Sequence, residues 1–260
     1  MKVNKGHCRK LGATIEGSGV NFAIWARLAS SIELLLFASE TDDKPIVIRL
    51  SPLENRTAYY WHLFVDNIGD GQLYGWRING PWRPYEGTHF DPEKVLLDPY
   101  SQEVSLGPNY DRWAAVRPGS NLHCCAKSVV VDMHNYDWSG DVSPQHPMSR
   151  SIIYEMHVGG FTKDPSSGVS SNKQGTYAGL IEKIPYLQSL GITAVELLPV
   201  FQFDPQDAPA GKSNYWGYSP MSFFAPHHQY SSDQSRTGPI NEFRKMVKAL
   251  HREGLEVILD

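Results

Sequence analysis

The chain has 260 residues, with 24 Lys and Arg against 28 Asp and Glu, a formal net charge of −4 at pH 7. That mild acidity gives no electrostatic footprint for nucleic acid or for an anionic membrane, and no window approaches the ~20 apolar residues that span a bilayer. A hydrophobic content of 41% can fill a sizeable core, which excludes wholesale disorder, and 12% aromatic residues supply packing first and flat stacking surfaces second.

The opening text, MKVNKGHCRKLGATIEG, carries positive charge without the apolar stretch of a secretory signal. Cys8, Cys124 and Cys125 form an odd set with one adjacent pair, neither a disulfide framework nor a zinc spacing. A reducing, cytoplasmic location is therefore expected, with Cys124 and Cys125 as small buried filler.

Residues 1–105 read as a small all-β domain. VNFAIWARLA, SIELLLFA, PIVIRL, YYWHLFVD and QLYGWRING are rich in β-branched and aromatic residues, punctuated by Ser, Asp, Asn, Gly and Pro at the spacing of a β-sandwich. Val20, Phe22, Ile24 and Ala26 alternate with Asn21, Ala23, Trp25 and Arg27, so one face of that strand is apolar. Trp25, Trp61 and Trp76 lie within strand patterns and are expected to pack in the core or between domains, whereas Trp82 and Tyr85, in the turn GPWRPYEG, are candidate surface rings. Residues 106–150 contain few periodic runs and read as an extended connector packed on its neighbours.

From Ser151 the pattern becomes strand, helix, strand, helix, strand. IIYEMHV is the first strand, and TYAGLIEKIPYLQSLG carries a helical apolar stripe that Pro185 splits in two and Gly191 ends. AVELLPV reads as a strand buried on both faces, PINEFRKMVKALHREG as a helix, and LEVILD as a third buried strand. Such an order implies right-handed parallel βαβ units. Three parallel strands cannot close a barrel, so the chain reads as a β-sandwich followed by α/β over 151–260, either a parallel unit cut short or a compact two-layer α/β unit covered by the sandwich.

In parallel α/β units ligands gather at the C-terminal strand ends. The longest following loop, Phe201 to about Gly238, holds Tyr215, Trp216, Tyr218, Phe223, Phe224 and Tyr230 among Asn214, His227, His228 and Gln229. Flat rings beside amide and imidazole groups suit a sugar, with its apolar C–H faces and belt of hydroxyls. Adjacent His227 and His228 diverge in extended backbone and have no ligand-spaced partner, so no metal is expected. Phosphate loops and a G-x-S-x-G elbow are missing, and no cofactor is implied. Glu155, Glu196 and Asp260 are the strand and strand-end carboxylates; a glycosidase needs two at defined separations, and sequence does not choose the pair. Glu196, in mid-strand, is expected to be buried and hydrogen-bonded.

The blocks IIYEMHVGGFT, LQSLGITAVELLPV, NYWGYSPMSFF and LHREGLEVILD resemble the opening of the catalytic barrel in the α-amylase superfamily, which implies that 151–260 is an incomplete TIM (β/α)8 barrel with its first three strands only. Upstream, YGWRINGPWRPYEGTHFDPEKVLLDPY is similar to the isoamylase-type, glycogen-debranching branch, where a β-sandwich precedes the barrel. The resemblance implies that Tyr218 is an aromatic platform under the sugar at the cleavage point and that Trp216 and Asn214 shape the same loop. Asp260 is similar to the aspartate that opens the family's first barrel motif, whose Asn-His continuation is not in this sequence. The family's nucleophilic aspartate, acid/base glutamate and stabilising aspartate come from later strands, so no catalytic residue is assigned and the chain alone is expected to be inactive. The resemblance thus implies part of a retaining hydrolase of α-1,6 branch linkages in glycogen or branched maltodextrin. The alternatives are a stand-alone, non-catalytic glucan-binding or regulatory protein, or another α-glucan enzyme such as a branching enzyme.

Overall fold

The computed structural model describes residues 1–260, which divide into two compact units: Met1–Met133 with Ser222–Phe224, and His134–Met221 with Ala225–Asp260. In the first unit, one sheet runs Val3–Asn4, Tyr60–Asp66, Gly19–Trp25, Gly12–Glu16, with Arg56–Thr57 also on Tyr60–Asp66. The other runs Val104–Ser105, Lys127–Val129, Leu73–Asn79, Ser31–Phe37, Ile46–Arg49. Their pairings are antiparallel. Alternate residues from both sheets meet in one core: Val20, Phe22 and Ile24 against Leu34, Tyr74 and Trp76. Phe22 sits edge-on to Tyr74 at 5.0 Å and to Trp76 at 6.3 Å, an arrangement the ring quadrupoles favour.

The expected strands are present, most within a residue or two, but the one read through Ala29 ends at Trp25. The strand Gly12–Glu16 was not expected; it pairs with Gly19–Trp25 across a turn in which Gly17 takes a φ of +57°. Within 106–150, read as an extended connector packed on its neighbours, Lys127–Val129 is hydrogen-bonded to Leu73–Asn79 and to Val104–Ser105. A second apolar cluster of Leu35, Phe37, Val95, Cys125 and Val129 covers the outer face of that sheet, which is where the thiols go: Cys124 and Cys125 are free, buried, and raised in pKa by that burial. Trp61 and Trp76 are fully buried, whereas Trp25, at the last position of its strand, is 53% exposed.

One buried polar knot holds this unit. The Asp98 carboxylate, 1% exposed, accepts from the Trp76 indole at 3.0 Å, the Tyr74 hydroxyl at 3.1 Å and the Tyr100 backbone N–H at 2.8 Å. Burial raises the pKa of Asp98, and its hydrogen bonds oppose that rise. Nearby, the buried Lys94 ammonium donates to the carbonyls of Ala114, Arg117 and Gly119, gathering the short helix α1 (Arg112–Val116) and its exit.

The second unit has a parallel sheet ordered Ile153–Met156, Ala194–Leu197, Glu256–Leu259. Between the first two strands come α2 (Val158–Lys163), α3 (Tyr177–Glu182) and α4 (Ile184–Ser189). Lys183 separates α3 from α4, Pro185 lies in the first turn of α4, and Gly191 ends it with a φ of +72°. Helix α5 (Gly238–Arg252) presents Met246 and Leu250 to Met156, Val195 and Leu197. Val195 and Leu197 lie under the helices, and on the other face Ala194 is buried while Glu155 is exposed and Glu196 and Ile258 are half-buried. The second strand is thus buried on both faces except at Glu196, whereas the expectation that the third is a buried strand is corrected: it is half-buried to exposed throughout, with Leu259 43% exposed, at one edge of an open three-stranded sheet.

Asp98→Ala strands two buried donors, the Tyr74 hydroxyl and the Trp76 indole. It is expected to destabilise the first unit by about 2–5 kcal/mol, read as a fall in the urea midpoint without a change in slope.

Candidate functional site

Parallel register brings the C-terminal ends of the three strands level, Met156 beside Leu197 beside Leu259. Immediately beyond them lie His157, Leu198 and Asp260, and the Asp260 N–H continues the ladder by donating to the Leu197 carbonyl at 3.1 Å. The loop 213–218 carries the exposed rings Trp216 (58%) and Tyr218 (60%). The Tyr218 hydroxyl donates to Asp260 Oδ2 at 2.5 Å. That bond, with the negative charge of Asp260, Glu155 and Glu196 nearby, pushes the phenol up to about 12, so Tyr218 is a neutral donor across the physiological range.

The sequence-predicted residues thus converge, though not all in the same way. Asn214 turns inward: its Oδ1 accepts from the Gly217 N–H at 3.2 Å and its Nδ2 donates to the Asp204 carbonyl and to Ser219 Oγ, each at 3.4 Å. Gly217 is required at the turn, since φ is +78° and a Cβ there would lie 2.5 Å from the Phe203 ring. Phe203 belongs to a strand pair, Phe201–Phe203 with Pro220–Pro226, within what the sequence reads as a plain loop. Glu196 is half-buried rather than buried.

His157 is the residue that sequence reasoning missed. It follows the first strand, and its ring stacks on Tyr215 at 4.1 Å with an interplanar angle of 1°. Trp216 lies edge-on at 6.4 Å and Tyr230 at 5.5 Å. Imidazole after an apolar strand was visible in IIYEMHVGG, but its partner is 58 residues away.

Beneath the loop, His227 is fully buried and stacks on Phe203 at 3.7 Å. Gln202 Oε1 accepts from the His228 N–H at 3.0 Å and lies 3.1 Å from its Nδ1, which assigns a proton to that nitrogen. Burial, aided by His228, lowers the His227 imidazole to about 3, and burial lowers His228 to about 4. Both rings are packing elements, and no group of three or more His, Cys, Asp or Glu side chains is placed to hold a metal ion.

The first unit has exposed rings of its own. The strands Trp82–Arg83 and Thr88–His89 form a hairpin, with Trp82 62% exposed and Tyr85 fully exposed at its tip. Beside it a groove of about 720 Å³ is lined by Trp25, Arg27, His89, Phe90 and Leu96.

Residues 10–101 match the family model of carbohydrate-binding module 48 (isoamylase N-terminal domain), and residues 150–260 match that of the alpha amylase catalytic domain. The chain thus carries an isoamylase-type N-terminal module followed by a segment of an alpha amylase catalytic domain. It is 40% identical over 267 residues to a glycogen debranching enzyme of Klebsiella pneumoniae, covering 96% of this chain and 38% of that protein. Against chloroplastic isoamylase 1 of Oryza sativa subsp. japonica it is 38% identical over 265 residues, 96% of this chain and 32% of that one. The chain therefore spans less than two fifths of the length of these relatives. Among solved structures, the catalytic module of the glycogen-degrading pneumococcal virulence factor SpuA superposes with a TM-score of 0.77 at 24% identity, over 99% of this chain and 37% of that one, a likeness of fold. No helix is long and apolar enough to cross a membrane.

Two outcomes are expected here. Above pH ~6.5, the ordinary histidine value, His227 and His228 are neutral in the folded and unfolded chain alike. As pH falls from there towards 4, only the unfolded chain takes up their protons, so stability drops by roughly 1.4 kcal/mol per pH unit for each ring. His227→Phe keeps the stack on Phe203 and should flatten this acid limb in urea titrations at stepped pH. Gly217→Ala, clashing with Phe203 at positive φ, should cost about 2 kcal/mol in the same assay.

Proposed function

We propose that this chain forms the glucan-facing part of a retaining hydrolase acting on α-1,6 branch linkages of glycogen or branched maltodextrin. The carrying observation is the Tyr218 ring, exposed and tethered to Asp260 at the C-terminal edge of a parallel sheet with Trp216 beside it. A pyranose lays its C–H face on such a ring, while Asp260 accepts a sugar hydroxyl on its second oxygen. Asn214, engaged within the loop, supports Trp216 and Tyr218 from behind. The debranching and isoamylase relatives support the choice of an α-1,6-linked substrate.

In this reading 1–105 is a glucan-associated sandwich, 106–150 the connector, partly absorbed into the first unit, and 151–260 the opening of a (β/α)8 barrel. The open sheet face bearing Glu155, Glu196 and Ile258 is the inner wall of that barrel. Retaining hydrolysis needs one carboxyl group to protonate the leaving oxygen and a second to attack the anomeric carbon, and those groups belong to later strands of the family. The three free thiols fit a reducing, cytoplasmic setting. A second reading, glucan binding without hydrolysis, is favoured by the exposed Trp82 and Tyr85 at the hairpin tip.

Co-sedimentation with glycogen separates these. Tyr218→Ala is expected to weaken binding by about tenfold, ~1.4 kcal/mol, and the unmodified chain to release no reducing ends. Loss confined to Trp82→Ala would place binding on the sandwich, and no binding by any form would count against a glucan ligand.

A further inference from the structure

The loop bearing Trp216 and Tyr218 is held at two ends, and only one of them is the Tyr218–Asp260 bond. At the other, the Gly160 backbone N–H donates to His157 Nδ1 at 2.9 Å, capping α2. A neutral imidazole that accepts on Nδ1 carries its proton on Nε2. That nitrogen is 2.8 Å from the Tyr215 carbonyl, to which it donates, and 3.1 Å from the Tyr230 hydroxyl oxygen. Both ring nitrogens are thus engaged by protein atoms, and one face is covered by the parallel Tyr215 ring.

The two glycines that follow fit this arrangement. A Cβ at Gly160 would lie 2.6 Å from the Tyr215 hydroxyl, and one at Gly159 would lie 3.0 Å from His157 Cε1. His-Val-Gly-Gly is therefore a seat: the imidazole takes the loop carbonyl, the missing side chain of Gly160 admits Tyr215, and that of Gly159 leaves room for the imidazole itself and Tyr230. From Tyr215 the chain reaches Tyr218 in three residues, through the positive-φ turn at Gly217.

We propose that His157, as its Nε2–H tautomer, is the positioning residue of this site, fixing the Trp216–Tyr218 loop to the end of the first parallel strand. It touches no sugar. Its link to glucan affinity rests on the platform reading above, whereas its hold on the loop does not.

Asparagine at this position separates the two bonds. Its short amide is a good helix N-cap and keeps the Gly160 bond, but it neither reaches the Tyr215 carbonyl nor stacks on the ring. In His157→Asn, amide exchange at Asn214 and Gly217, whose N–H groups are hydrogen-bonded within the loop region, should accelerate by about tenfold or more while Gly160 stays protected, and glycogen affinity should fall about tenfold. Unchanged exchange in the loop would overturn the proposal. Nitrogen-15 spectra of the unmodified chain give a second test that needs no variant: His157 should be protonated at Nε2, and a proton at Nδ1 would equally overturn it. Faster loop exchange in the variant, with no glycogen binding by the unmodified chain, would leave the positioning role intact and remove the glucan reading instead.

Discussion

The candidate site is organised around the hydrogen bond from Tyr218 to Asp260, 2.5 Å long and spanning 42 residues. A loop with exposed rings is costly to order, because each fixed residue gives up conformational entropy and gains little burial. Here the cost is offset by tying the loop to strand ends that the parallel ladder has already fixed. Asp260 is placed by its backbone bond to Leu197, and His157 by the first strand. The carboxylates that raise the Tyr218 phenol also keep it a donor, so the bond does not switch with pH near neutrality.

Beneath that surface, polar side chains are spent on architecture. Gln202 and His228 bond one another, His227 stacks on Phe203, and Glu242 accepts from the backbone N–H groups of Ala178, Ser232 and Asp233. Asp98 does the same work in the first unit by joining Tyr74 and Trp76. Burying a polar group costs free energy unless it is hydrogen-bonded, and these groups are bonded where secondary structure alone leaves donors unpaired.

Much of the fold was legible locally. Alternation in Val20–Ala26 and the stripe of Phe243, Met246, Val247 and Leu250 depend on the period of the element, which sequence shows directly. Pro185 and Gly191 marked helix boundaries because they act on their own backbone. Strand Gly12–Glu16 was not legible, since it is short and defined by its partner, nor was Lys127–Val129, whose neighbours lie more than twenty residues away. The exposure of Trp25 turned on a strand that ends at that residue rather than running on to Ala29, a boundary that periodicity does not resolve.

For the site, sequence determined the chemistry available: rings in NYWGY, carboxylates at strand ends, glycines at the turns, and the family those blocks resemble. Which groups meet was decided only by tertiary structure. Asn214 and Trp216 look equally exposed in a polar, aromatic loop, yet one folds inward to hold Gly217 and the other faces solvent. His157 reads as the tail of a strand until parallel pairing brings it to Tyr215. Side-chain identity is local, but a hydrogen-bond partner 42 or 58 residues away is set by sheet register.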